Sequence, residues 1–230
     1  MNRHSIAVDG PSGSGKSTLA KQLAEHFGFL YLDTGAIYRA VGLYVHQAGA
    51  DLLDEGAVAA LLPRLLKISF RHVDGAQRVF VGEEDVSELI RMPEVSVYAS
   101  QVAAHPVVRA FLLDMQREFA QTYDVVMDGR DIGTVVLPDA SLKVFLTATS
   151  ERRAERRYQE LRGRGVQESY EQVLADIKDR DERDMSREIS PLRQAADAVV
   201  LDTTDLDLAE SLAALVGLAQ ARLHLEDERV

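Results

Sequence analysis

The chain of 230 residues contains no cysteine, which excludes disulfides, zinc thiolates and thiol catalysis together. No apolar run is long enough to span a bilayer, and "MNRHSIAVDG" passes into a short apolar run without the hydrophobic region of a secretory signal. A reducing cytoplasm is the expected setting. Positive charge is also scarce: 26 basic against 37 acidic residues give a net charge of −11, which disfavours nonspecific attraction to nucleic acid or to an anionic membrane. An anionic ligand must therefore be held by charge placed locally. Lysine is rarest, with 5 lysines against 21 arginines, and ten of those arginines fall between Arg152 and Arg193 among ten acids from Glu155 to Glu188. The arginine fork matches phosphate oxygens where lysine acts as a point charge. Because the segment is mixed in sign, individual arginine positions carry the argument. No internal repeat or interdomain linker is visible, and the length suits one α/β domain with insertions.

What the sequence does contain begins with "DGPSGSGKST". Gly10, Gly15, Lys16 and Ser17 fit G-x-x-x-x-G-K-[ST], in which backbone N–H groups curl around phosphates, the lysine reaches the terminal ones and the hydroxyl meets Mg²⁺. The motif requires a strand before it and a helix after it. "HSIAVDG" reads as a buried strand, and Leu19, Leu23 and Phe27 recur at helical spacing before Gly28. Gly10, Pro11, Ser12, Gly13, Ser14, Gly15, Lys16, Ser17 and Thr18 are therefore expected to bind the triphosphate. The N-K-x-D element of guanine-specific GTPases is absent, and the size with arginine-bearing helices fits a small-molecule kinase. A regulatory nucleotide switch is the competing class, separated by whether ADP forms only with an acceptor.

"FLYLDTG" is a second buried strand followed by a helix from about Ala36, so successive β-to-α steps imply parallel strands in a doubly wound sheet. "LLKISFRHVDGAQRVFVGEEDV" alternates around Asp74-Gly75, with a second turn at Gly82, as in a small antiparallel hairpin. Two helices follow, the second opened by Pro106. "YDVVMDGRDIG", "LKVFLTATS" and "AVVLDTT" supply further strands, with helices at about 151–161 and 170–187, and a last one at "LDLAESLAALVGLAQARL". The charged tail "HLEDERV" is expected to fray.

In sheets of this kind ligands sit beyond the carboxyl ends of the strands. Those positions hold Asp33 and Thr34, then Asp128, Arg130 and Asp131. Asp33 or Asp128 is the expected acidic partner of Ser17 for Mg²⁺, with Asp33 chosen alongside Ser17; an Asp there also caps the helix that follows. Arg39, a turn into that helix, is placed for a second anion. In "YEQVLADIKDRDERDMSR" the residues Val173, Ile177, Arg180, Asp184 and Arg187 share one stripe. A face that begins apolar and turns ionic packs on a core first and then overhangs a polar site.

Taken together, "DGPSGSGKST", "LDTGAIYR", "ASQVAAHPVVR", "DGRDIGTVVLPDA" and "IKDRDERDMSREISPL" resemble the bacterial-type cytidylate kinase family, from about Ile6 to Leu218. The resemblance implies a P-loop three-layer α/β fold with a five-stranded parallel sheet. It implies a core at about 1–38, 94–150 and 190–222, an insert binding the nucleoside monophosphate at about 39–93, and a helical lid at about 151–189. It also implies transfer of the γ-phosphoryl group of ATP to CMP or dCMP with Mg²⁺. A monomer is the default expectation. Thr34, Arg39, Arg130 and Arg187 then match the contacts to the acceptor phosphate, and Ser100, Arg109 and Asp131 the cytosine-reading group. Arg180 and Asp184 match the sugar contacts, and Arg157, with Arg153, the lid arginines. Lys16, Arg130 and Arg187 are the residues expected to act on the transferring group.

Overall fold

A computed structural model describes residues 3–65, 68–73 and 76–224. The expected turn at Asp74-Gly75 and the tail beyond His224 lie outside the described residues. The chain divides into two bodies, Met1–Leu32 with Arg117–Val230, and Asp33–Gln116.

The first body opens with β1 (Ser5–Asp9), whose Ile6, Ala7 and Val8 are wholly buried. Such a continuous apolar run suits a strand covered on both faces. The glycine loop leads into α1 (Lys16–Phe27), which turns Leu19, Ala20, Leu23 and Ala24 inward, and β2 (Leu30–Asp33) follows. The second body then carries α2 (Thr34–Gln47), α3 (Glu55–Leu61), β3 (Ile68–Val73), β4 (Ala76–Val81), β5 (Glu84–Asp85), α4 (Pro93–Val102) and α5 (Pro106–Thr122), the last of which runs on into the first body. Helix α2 begins two residues before the expected Ala36, because the Asp33 carboxylate accepts the Ala36 N–H at 2.9 Å and caps it. The expected hairpin is part of a three-stranded antiparallel sheet, β3-β4-β5, the added strand being two residues long. At Gly42 a Cβ would stand 2.8 Å from the Tyr98 carbonyl carbon, so only glycine lets α2 and α4 approach this closely.

Returning to the first body, β6 (Val125–Gly129) is buried throughout, β7 (Leu142–Thr147) follows, and α6 (Ser150–Gly163) and α7 (Tyr170–Ser186) form a helical pair. That pair has its own small core of Ala154, Leu161, Val173 and Ile177. Then β8 (Val199–Asp202) completes a five-stranded parallel sheet of order β2-β6-β1-β7-β8, and α8 (Leu208–Leu223) closes the chain. Leu19 and Leu23 of α1 meet Leu215 and Ala219 of α8 over β1 and β7. Among the described residues no helix is long and apolar enough to cross a membrane. Register pairs Asp9 with Gly129, so the segments after β1 and β6 leave the sheet side by side.

Candidate active site

The first body holds the glycine loop in a conformation that leaves little freedom. A Cβ on Gly10 would sit 2.0 Å from the Leu146 carbonyl oxygen of β7. The Lys16 ammonium curls back toward the Pro11 carbonyl at 3.4 Å, and the buried Ser14 hydroxyl has no hydrogen-bond partner among the described residues. A buried hydroxyl without a partner inside a glycine loop is suited to meet a phosphate oxygen. Ser17 and Thr18 lie exposed on the first turn of α1.

Of the two acids considered for Ser17, the one that meets it is Asp128: the Ser17 hydroxyl donates to Asp128 Oδ2 at 2.7 Å, and the Tyr31 hydroxyl donates to Oδ1 at 2.8 Å. A hydroxyl beside a carboxylate is a pair of hard oxygens, the donor type Mg²⁺ selects. Asp33 is committed within the second body, where it caps α2 and accepts from Arg39 Nη2 at 2.9 Å. Tyr31 is not legible as a site residue in the sequence, since a tyrosine in a buried strand looks like core.

Asp9 is equally hidden from sequence reasoning, and it organises the segment that follows β6. Its two carboxylate oxygens accept the N–H groups of Ile132 and Gly133 at 2.8 and 2.7 Å. Residues 132–136 form one wide turn, with Leu137 N–H reaching back five residues to the Ile132 carbonyl at 2.7 Å. Such turns are uncommon and gather at functional sites. Arg117 holds the far side, donating from Nε to Val136 O and from Nη2 to Val135 O, both at 3.0 Å. Burial pushes the Asp9 carboxyl up to about 6, against the lowering effect of the two amides. A folded-state value above the unfolded one near 3.8 favours the protonated form in the fold. This contribution to stability is therefore complete below about pH 4 and is lost as pH rises through about 6. In urea unfolding across pH 4 to 7, the stability of the wild type relative to Asp9→Asn is expected to shrink with rising pH by about 2 kcal/mol; a constant difference would contradict the account.

Arg130 and Asp131 stand between Asp9's two anchors and β6. Arg130 Nε donates to Asp184 Oδ2 at 2.7 Å, and Arg187 Nη1 stands 4.0 Å from Oδ1 of the same carboxylate. Burial is the largest single influence and acts to raise the Asp184 pKa, but Arg130, Arg180 and Arg187 together outweigh it, Arg130 most of all, so the group is held below the usual carboxylate range. Asp131 is buried and Arg180 half-buried. On α7 the stripe runs as its sequence pattern implies, with Val173, Ile177 and Asp184 buried and Arg180 and Arg187 partly so. Three arginines around one carboxylate leave a net positive cluster. Arg157 pairs with Glu160 at 2.9 Å on the exposed side of α6. Arg153, matched to the lid arginines by resemblance, is instead buried and its fork is already engaged, with Asp181 on α7 and the carbonyls of Ser12 and Ala148.

In the second body, Thr34 is buried at the start of α2, and Arg39 keeps its Nε buried with no hydrogen-bond partner among the described residues. Ser100 lies half-buried on α4. Arg109 is buried on α5, donates to the Ala103 carbonyl at 3.3 Å, and has its guanidinium 5.6 Å from the centre of the Tyr38 ring. That ring supports the cation from one side.

A strand, glycine loop and helix, a Ser17–Asp128 pair, and a separate cluster of arginines on a parallel sheet define a P-loop phosphotransferase. The comparisons sharpen this. The cytidylate kinase family profile matches residues 6–221. The chain is 50% identical over 212 residues to a cytidylate kinase of Caldicellulosiruptor bescii, covering 92% of this chain and 93% of that one. It is 48% identical over 223 residues to a cytidylate kinase of Exiguobacterium sibiricum, covering 97% and 100%. Among solved structures, an uncharacterized protein from Eubacterium ventriosum has the same fold, with a TM-score of 0.51 at 16% identity over 96% of this chain and 99% of that one. The chain belongs to the cytidylate kinase family and is a nucleoside monophosphate kinase.

Proposed function

We propose that the protein transfers the γ-phosphoryl group of ATP to CMP or dCMP, giving ADP and CDP or dCDP, a step of pyrimidine nucleotide metabolism. A monomer in the cytoplasm is the working form in this reading. The observation that supports it is the pairing of a glycine loop, with its unpartnered Ser14 hydroxyl, and a separate cluster of arginines on Asp184, each suited to an anion.

Gly10 to Thr18 hold the ATP phosphates through backbone N–H groups, Lys16 reaches the terminal ones, and Arg157 closes on them from α6. Thr34, Arg39, Arg130 and Arg187 hold the acceptor phosphate, while Arg180 and Asp184 take the sugar. An acceptor oxygen forms a bond to the γ-phosphorus as the bond to the bridging β,γ oxygen breaks, and ADP leaves with that electron pair. The acceptor is already an anion near neutral pH, so no general base is needed. Positioning and charge neutralisation supply the rate. Ser17 and Asp128 fit Mg²⁺ by donor type, and when bound the ion would neutralise charge on the triphosphate.

Base reading falls to Asp131, Ser100 and Arg109. Cytosine offers an amino donor at N4, which a carboxylate accepts, with acceptors at N3 and O2 for Ser100 and Arg109; uracil sets O4 lone pairs against the carboxylate. The test is ADP formation from Mg·ATP with CMP, dCMP, UMP, AMP or no acceptor. Strong turnover with CMP and dCMP, weak turnover with UMP and almost none alone is expected, and comparable hydrolysis in every tube would overturn the acceptor site. Asp131→Ala is expected to lower kcat/KM for CMP about 100-fold and for UMP less than about fivefold, on the scale of one lost hydrogen bond to a charged group. Equal losses would remove Asp131 from base reading.

A further inference from the structure

Helix α7 carries two buried carboxylates one turn apart, Asp181 and Asp184, and their partners come from different segments. Asp184 accepts from Arg130, at the end of β6. Asp181 takes the fork of Arg153 from α6, with Nη1 on Oδ1 at 3.0 Å and Nη2 on Oδ2. Arg153 does more than neutralise Asp181. Its Nη1 also donates to the Ser12 carbonyl at 2.9 Å, and its Nε to the Ala148 carbonyl at 2.9 Å. Beside this contact a Cβ on Gly13 would lie 3.4 Å from Arg153 Cβ and 3.8 Å from Ile177 Cδ1, so the loop backbone rests on α6 and α7 here.

A trans peptide is planar, so holding the Ser12 carbonyl fixes the direction in which the Gly13 N–H points. That N–H belongs to the set that a glycine loop turns toward phosphate. A bidentate arginine pair is directional and tolerates little drift. Asp181, Arg153 and Ser12 thus form a chain of contacts from α7 to the donor loop, and Asp184 and Arg130 form a second from the same helix to the acceptor's arginines.

We propose that Arg153 and Asp181 are positioning residues for the glycine loop, and that α7, holding one end of each chain of contacts, couples occupancy of the donor site to occupancy of the acceptor site. The inference rests on the assignment of the two nucleotides made above. Coupling of this kind is reciprocal, each ligand tightening the other by one and the same factor.

Calorimetric titration of the full chain, with CMP alone, with a nonhydrolysable ATP analogue and Mg²⁺ alone, and with each in the presence of the other, tests it. In the wild type each nucleotide is expected to tighten the other by about tenfold. In Arg153→Lys and Asp181→Asn that factor is expected to fall below about twofold, the analogue alone to bind about tenfold more weakly, and CMP alone to bind within about threefold of wild type. Independent binding in the wild type, or a tenfold factor kept by the variants, overturns the coupling. Equal weakening of both nucleotides alone overturns the positioning role. Failure of either nucleotide to bind the wild type overturns the functional reading itself, a result distinct from both. Amide exchange on the wild type requires no variant: the analogue alone is expected to slow exchange around Asp181 and Asp184 by at least about threefold, and unchanged rates there overturn the proposal even if both variants fail to fold.

Discussion

Gly10→Ala is expected to cost about 4 kcal/mol or more of stability and to lower kcat/KM by at least about 100-fold. The cause is steric. The added methyl would meet the Leu146 carbonyl oxygen at 2.0 Å and its carbon at 3.1 Å, and β7 is fixed on both sides by its ladders to β1 and β8. Relief must therefore come from the loop, whose displacement moves the amides assigned above to phosphate. A chain of this length loses about 2–4 °C in Tm per kcal/mol, so a fall of about 10 °C is the expected readout. Gly163→Ala is the control, because a Cβ there meets nothing within 4 Å. Equal behaviour of the two variants in thermal unfolding and in the coupled ADP assay would contradict the argument.

Arg130→Ala is expected to combine two losses that most substitutions keep apart. Asp184 is buried, and Arg130 is the strongest of the influences that hold it ionised against that burial. Removing one partner of a buried pair costs about 3–5 kcal/mol, because a charge is left without compensation. In the wild type the folded Asp184 has a depressed pKa, so its contribution is present above its unfolded value near 3.8 and is lost as pH falls through the folded value. With Arg130 gone, burial dominates, and the variant is expected to recover part of its lost stability as the pH falls from 7 toward 5, when the carboxyl can protonate. The activity loss is separate, about 10³-fold in kcat, the range for an arginine that neutralises a transferring phosphoryl group. Arg130→Ala/Asp184→Asn, read against Asp184→Asn alone, sorts the two: stability returns in part, and kcat stays about 10³-fold below that of Asp184→Asn. Activity in the double variant equal to that of Asp184→Asn would mean that Arg130 serves only the fold.

Local signals are the legible ones. The strand, glycine loop and helix follow from residues adjacent in sequence, and the α7 stripe from a helical period, so the spacing alone assigns Val173, Ile177 and Asp184 to one face. The start of α2 is less visible, because capping by Asp33 depends on a hydrogen bond and leaves no mark in the hydrophobic pattern. Spacing does not choose between Asp33 and Asp128 for Ser17, since both are acids at strand ends, and what separates them is a contact across 111 residues. Asp9 and Asp181 are hidden for the same reason. Each is an ordinary acid until its partners, amides 123 and 124 residues away for one and an arginine 28 residues away for the other, arrive beside it. Arg153 shows the converse: its place among lid arginines matches a mobile role, while its burial and four acceptors give it a fixed one.

The wide turn at residues 132–136 bears on the thermodynamics of ligand capture. Its backbone is secured at one end by the carboxylate of Asp9 and at the other by the guanidinium of Arg117, so the conformational entropy of this segment is surrendered when the chain folds. Ordering a loop at the moment of association weakens binding and adds a large unfavourable entropy and a heat-capacity change. In the proposed site, a ligand arriving at Arg130 and Asp131 would meet a backbone that is already ordered, and the entropy of its binding there would reflect the ligand and its water, with little share from the protein chain.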